Sequence, residues 1–105
     1  MKLPKKIKIG HLEFDIKRDS INKFGVEENM GVTLKEKLKI YLSDDEMAEE
    51  VEIDTLFHEV LHACWFASGL RREAEEEIIA ALVPFILMAL RDNPKLLKII
   101  VDKNA

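Results

Sequence analysis

An α+β domain is the fold class that this sequence predicts, and three observations carry it. Segments alternating in polarity come first, segments with a helical period follow, and no Gly/Ser/Pro-rich linker separates the two halves. At 105 residues the chain has room for a single hydrophobic core, so one domain over residues 1–105 is expected.

Residues 5–9 and 12–17 alternate, with Ile7, Ile9, Leu12, Phe14 and Ile16 as the apolar set, and Gly10-His11 between them marks a hairpin turn. Residues 19–29 carry turn formers without a period and read as a loop. Residues 32–34 and 38–42 suit two further strands joined by the charged Lys35-Glu36-Lys37, which gives a small, mostly antiparallel N-terminal sheet. Ser43 with Glu46 three positions later has the form of a capping box, so the first helix is expected over residues 44–67, stopping at Ser68-Gly69. A second helix starts near Arg72 or Glu73 and ends before Pro94, with Pro84 inside it as a kink or a lost backbone bond. Asn93-Pro94 then serves as N-cap and first position of a short helix over residues 94–102.

Composition narrows the function classes. A net charge of −4 leaves no footprint for nucleic acid, and the apolar run over residues 78–90 is too short for a bilayer and holds Pro84, so it reads as a core helix. Neither nucleic-acid nor membrane binding is expected. The basic start, Met1 to Lys6, has no apolar region after it, so no signal peptide is expected. One cysteine, Cys64, excludes an intrachain disulfide and suits a reducing cytoplasm, where it reads as a small buried apolar residue.

The segment His58-Glu59-Val60-Leu61-His62 is a HExxH pattern within what reads as a strongly amphipathic helix, and it uses two of the three histidines. Positions i and i+4 share a helix face with Cβ atoms roughly 6 Å apart, so both imidazoles can reach one tetrahedral Zn²⁺. Glu59 lies about 100° around the helix from His58, beside a metal rather than on it, where a carboxylate can act as base toward a water. The flanking residues Leu56, Phe57, Val60, Leu61, Ala63, Cys64, Trp65 and Phe66 are apolar, so the imidazoles are expected to be half-buried and in need of partners.

A catalytic zinc wants a third protein ligand. The extended HExxHxxGxxH form is excluded, because Trp65 and Ser68 stand where it needs Gly and His. His11, at a hairpin tip, reads as a solvated turn residue, which leaves a carboxylate from another helix. Among Glu73, Glu75, Glu76 and Glu77, the 3-4 spacing from Glu76 picks out Ile79, Val83, Ile86 and Leu90, so Glu76 is the acid expected on the core-facing side. Glu75 and Glu77 replace it if the helix is rotated by one position.

A HExxH helix joined by a short connection to a glutamate-bearing helix resembles the arrangement of the gluzincins. The chain also resembles short phage- and prophage-associated zincin-like proteins, in its strand pair over residues 6–17, its HEVLHA over residues 58–63, its Glu76-Glu77 and its Arg91-Asp92-Asn93-Pro94. That resemblance implies a minimal zincin-like fold and a zinc metallopeptidase activity. It also implies a peptide or protein substrate lying along an edge strand, here the strand ending at Leu42 or the one at Val32 to Leu34.

The expected mechanism has His58, His62 and Glu76 holding Zn²⁺ and Glu59 as general base. No oxyanion donor stands out: Tyr41 reads as a packing or edge residue, with Arg71 and Arg72 as remaining electrophiles. The chain is too small for a second lobe over the cleft, which points to a partner chain, a homo-oligomer or an unfolded substrate. The alternative is a non-catalytic metal-binding or protein-interaction module, with Met47, Trp65, Phe66, Phe85 and Met88 as its apolar contacts.

Overall fold

The computed structural model describes residues 2–24 and 30–102. Four strands form one sheet in the order β1-β2-β4-β3, and three helices follow in sequence. The strands are β1 (Lys6–Ile9), β2 (Leu12–Asp19), β3 (Gly31–Leu34) and β4 (Lys39–Ser43); the helices are α1 (Glu49–Ser68), α2 (Glu75–Asp92) and α3 (Pro94–Val101). The α+β reading holds.

The sheet departs from the expected pattern at its centre. β1 pairs with β2 and β3 with β4 antiparallel, as tight connections allow, but β2 and β4 run parallel, with Ile16 opposite Ile40. The long connection from β2 to the outer strand β3 lets the chain return along β4 in the direction of β2. Part of it is a 3-10 turn, Ile21–Phe24, within the stretch read as loop, while residues 25–29 of that stretch lie outside the described residues. β4 is thereby an interior strand, and β3 is an edge.

Alternation puts Phe14 and Ile16 of β2 and Ile40 and Leu42 of β4 on one face, where all four are buried. Tyr41 points to the opposite face, its ring 4.8 Å from that of Phe24, which removes it from the helix side of the sheet. The charged link between β3 and β4 is a 3-10 turn, Lys35–Lys37, that closes on Leu38 in the left-handed conformation, with the Leu38 side chain packed on the core.

α1 starts later than the capping box implies. Ser43 ends β4, and its hydroxyl accepts a hydrogen bond from the Asp45 amide at 3.1 Å, so Ser43 stabilises a turn instead of a helix end. Ala48 caps α1 without a side-chain bond, three acids fill the first turn, and Gly69 closes the helix in the left-handed conformation that glycine adopts without strain. Glu52 in that first turn is buried and ion-paired with Arg18 of β2.

The helix is also less one-sided than its sequence suggests. Leu56, Val60, Ala63 and Phe66 pack on the sheet core, while Ile53, Phe57, Leu61 and Trp65, four residues apart, pack on Ile79, Val83 and Leu87 of α2. α2 buries only that row. Ile78, Leu82, Phe85 and Met88 on its outer side are exposed, as are the apolar residues of α3, so residues 78–90 are a half-buried helix and not a wholly internal one. Among the described residues no helix is long and apolar enough to cross a membrane.

Gly31 sets the distance between α1 and the edge strand. A Cβ there would lie 2.9 Å from Thr55 Cγ2, 3.1 Å from Glu59 Cγ and 3.2 Å from Leu42 Cδ2. Replacement by valine should therefore destabilise the fold by about 1–3 kcal/mol through overpacking. Denaturant unfolding measures it, and an unchanged midpoint would show that α1 has room to retreat.

Candidate metal centre

With two flanks of α1 packed, the third arc is what faces the cleft. At about 100° per residue, Thr55, His58, Glu59 and His62 fall within roughly 100° of one another, between the flank on α2 and the flank on the sheet. They line a cleft of about 660 Å³ whose other walls are Met30 to Thr33 along β3 and Glu75, Glu76, Ala80 and Val83 on α2. That volume suits a short peptide segment or a small ligand.

Both histidines turn Nε2 toward one point. The two Nε2 atoms are 3.2 Å apart, and a Glu76 carboxylate oxygen lies 2.8 Å from His58 Nε2 and another 2.6 Å from His62 Nε2. Two imidazole nitrogens on one tetrahedral zinc stand about 3.3 Å apart, from bonds of about 2.0–2.1 Å. The observed nitrogen separation fits that value, whereas the Glu76 oxygens stand at hydrogen-bond distance from the nitrogens, closer than two ligands of one zinc. Two nitrogens that converge this closely on the two oxygens of one carboxylate bring lone pairs together, which is favourable around a cation or shared protons. Among the described residues, His58, His62 and Glu76 form the one group of three placed to hold a metal ion.

Helical spacing predicts Glu76 on the core-facing side, but Glu75 takes that place, and the two acids reach His62 from different sides. Glu75 heads the buried row Glu75, Ile79, Val83, Leu87 and is 5% exposed, whereas Glu76 stands at the cleft mouth with its side chain 69% exposed. Glu76 reaches both imidazoles from the open side, where a fourth ligand position would also face solvent. Ala74, in the left-handed conformation, starts α2 so that two consecutive acids address α1 at different depths. The Trp65 indole N–H donates to the Arg71 carbonyl at 2.7 Å and fixes the connection that leads there.

Glu75 binds the other side of His62, whose Nδ1 contacts Glu75 Oε2. It is therefore not an alternative ligand on the open side. Glu77 and Glu73 are exposed and belong to no such group, and His11 is exposed in the hairpin turn as expected. Arg72 lines the cleft and is 3.4 Å from Glu36, both largely exposed; Arg71 is exposed without lining it. Cys64, expected to be buried, is half-buried, and burial raises its thiol above the usual range.

Glu59 is only 7% exposed and borders the cleft. The Thr33 hydroxyl donates to Glu59 Oε1 at 2.8 Å and lies 3.1 Å from its backbone carbonyl, which ties the carboxylate to β3. Burial raises the Glu59 carboxyl above the ordinary glutamate value; the Thr33 hydrogen bond and the nearby His62 and His58 pull it down by less. Glu75 goes the other way: burial alone would raise it, but hydrogen bonds from His62 and Lys35 outweigh that and leave it below the ordinary value. Thr33, Lys35 and Glu75 were not singled out for these roles in the sequence. The available signal was that a buried Glu59 needs a donor, and that two adjacent acids suit two nitrogens of one imidazole.

The opposed shifts fix a pH dependence for the metal-free chain. The raised Glu59 binds a proton more tightly folded than unfolded, so stability falls as pH rises from roughly 4.5, the ordinary glutamate value, through its folded pKa. The depressed Glu75 contributes stability above that ordinary value and loses it as pH falls through its own folded pKa. Glu59→Gln should accordingly melt a few degrees higher than wild type at pH 7, with the gain shrinking toward pH 4. Melting curves of the two apo-proteins across that range measure it, and a lower melting point for the variant at pH 7 would contradict the assignment. No protein-family model, curated protein or solved structure matches this chain.

Proposed function

We propose that this chain is a minimal zinc-dependent peptidase of zincin-like type. The observation that carries it is the convergence of His58, His62 and Glu76 beside a buried carboxylate, Glu59, on the wall of a cleft bounded by an edge strand. Two imidazoles and one carboxylate are a donor set that suits zinc and leaves a position open. When bound, zinc there supplies Lewis-acid polarisation of a carbonyl and lowers the pKa of a water in the open position.

The chain's own residues do the rest. Glu59 accepts the proton of the attacking water at its carboxylate; the water oxygen bonds to the scissile carbonyl carbon. As the C–N bond breaks, Glu59 returns that proton to the leaving amine. A carboxyl raised by burial is suited to both halves of that exchange. Thr33 holds Glu59 in place, and β3, the outermost strand of the sheet, is the strand along which an extended peptide would pair. Arg72, on the cleft wall, is the cationic side chain available to a developing oxyanion or to a substrate carboxylate.

A second reading, a non-catalytic metal-binding or interaction module, is favoured by the exposed row Ile78, Leu82, Phe85 and Met88 on α2, next to Ala80 and Val83 of the cleft wall. Trp65 and Phe66 do not contribute to it, since both are partly buried in the core. One experiment separates the two readings: zinc-loaded wild type and Glu59→Gln are incubated with unfolded peptides and the products followed by mass spectrometry. Peptidase function predicts cleavage by wild type and a loss of at least about 100-fold in the variant, which still binds zinc. Equal cleavage by both would overturn Glu59 as the base, and no cleavage by zinc-loaded wild type would favour the module.

A further inference from the structure

Lys35, Glu75 and His62 form a row of contacts that the proposed reaction does not use. Lys35 Nζ donates to both Glu75 carboxylate oxygens at 2.9 Å each, and Glu75 Oε2 contacts His62 Nδ1. Three separate elements meet there: the turn after β3, the start of α2 and the middle of α1. The side chains are 17%, 6% and 13% exposed respectively.

This arrangement has three consequences. An Nδ1–H that donates to Glu75 leaves the Nε2 lone pair directed at Glu76 and His58, the tautomer a metal ligand needs. Both Glu75 oxygens are engaged by Lys35, and one by His62 as well, so Glu75 is held behind the imidazole and Glu76 is the carboxylate left to face the open side. Lys35 also offsets the buried negative charge of Glu75.

We propose that Lys35 and Glu75 are a positioning pair for the metal centre, fixing the tautomer and orientation of His62 from behind. This rests on the metal-centre reading above. A pair that merely fastened the β3–β4 turn to α2 would affect folding stability without a specific effect on metal affinity or on the imidazole.

The test uses the whole chain and two readouts. Zn²⁺ affinity is measured by competition with a chromophoric chelator, and the position of the His62 proton by ¹⁵N NMR of the zinc-loaded protein. Lys35→Met and Glu75→Gln should each weaken Zn²⁺ binding by about 10–100-fold, the range for loss of an outer-shell partner. Lys35→Arg should recover most of the loss, and the wild-type His62 should carry its proton on Nδ1. Lys35→Met keeps an aliphatic stem, so it reports even if the Glu75 variant folds poorly.

Folded variants that bind Zn²⁺ within about twofold of wild type would overturn the proposal, as would a wild-type His62 protonated on Nε2 alone. Those results would leave the metal centre standing provided His58→Ala still abolishes binding. A wild type that binds no Zn²⁺, or a His58→Ala variant that binds it normally, would instead remove the metal centre, and this pair's role with it.

Discussion

α1 packs on two neighbours and has only so much circumference, and the rest of the structure follows from how its residues are divided between them and the cleft. The arc through Leu56, Val60 and Ala63 is taken by the sheet, and the arc through Ile53, Phe57, Leu61 and Trp65 by α2. What remains is a strip along the cleft, and it carries Thr55, His58, Glu59 and His62. The apolar residues thus do more than stabilise: by fixing the rotation of α1 on both sides, they aim the polar strip into the cleft. Gly31 sets the remaining coordinate, the depth at which α1 sits on β3, because any side chain there would push on Thr55 and Glu59.

Charge in the cleft is arranged at a cost to the fold. Three carboxylates, Glu59, Glu75 and Glu76, lie around two imidazoles, and two of the three are buried. Glu75 is compensated by Lys35 and His62, which hold its carboxyl low; the Thr33 hydroxyl and the nearby His62 and His58 offset the burial of Glu59 by less, and burial prevails. A buried carboxylate left undercompensated is poor for stability and useful for proton exchange, the trade commonly found where a site needs a group held off its ordinary pKa.

Much of this was legible in the sequence because it depends on spacing. The period-two segments and the Gly10-His11 turn locate β1 and β2 to within a residue or two, Gly69 stops α1, and the i, i+4 histidines fall on one face. The helical period put Glu76 on the core-facing side, a row that Glu75 takes instead, so at the start of α2 only the cluster of acids was legible. The parallel pairing of β2 with β4 was not legible, since strand order depends on how a long connection crosses the sheet and not on any local pattern. The Ser43–Glu46 pattern misled because the same side-chain bond serves a turn as well as a cap. Burial order within Glu75-Glu76 turned on the left-handed Ala74, a backbone choice that no residue preference announces. Thr33 and Lys35 were hidden for the same reason as the strand order: their roles depend on β3 lying beside α1, a contact distant in sequence.

The central claim is that α1 and α2 together build a three-ligand metal centre, and metal content tests it most directly. Elemental analysis of purified, untagged protein, after reconstitution with zinc and removal of excess, should give about one zinc per chain for wild type and a marked loss in His58→Ala and Glu76→Ala. A wild type that retains no metal, or an equal content in all three proteins, would contradict the account and leave the convergent histidines as core residues held by hydrogen bonds.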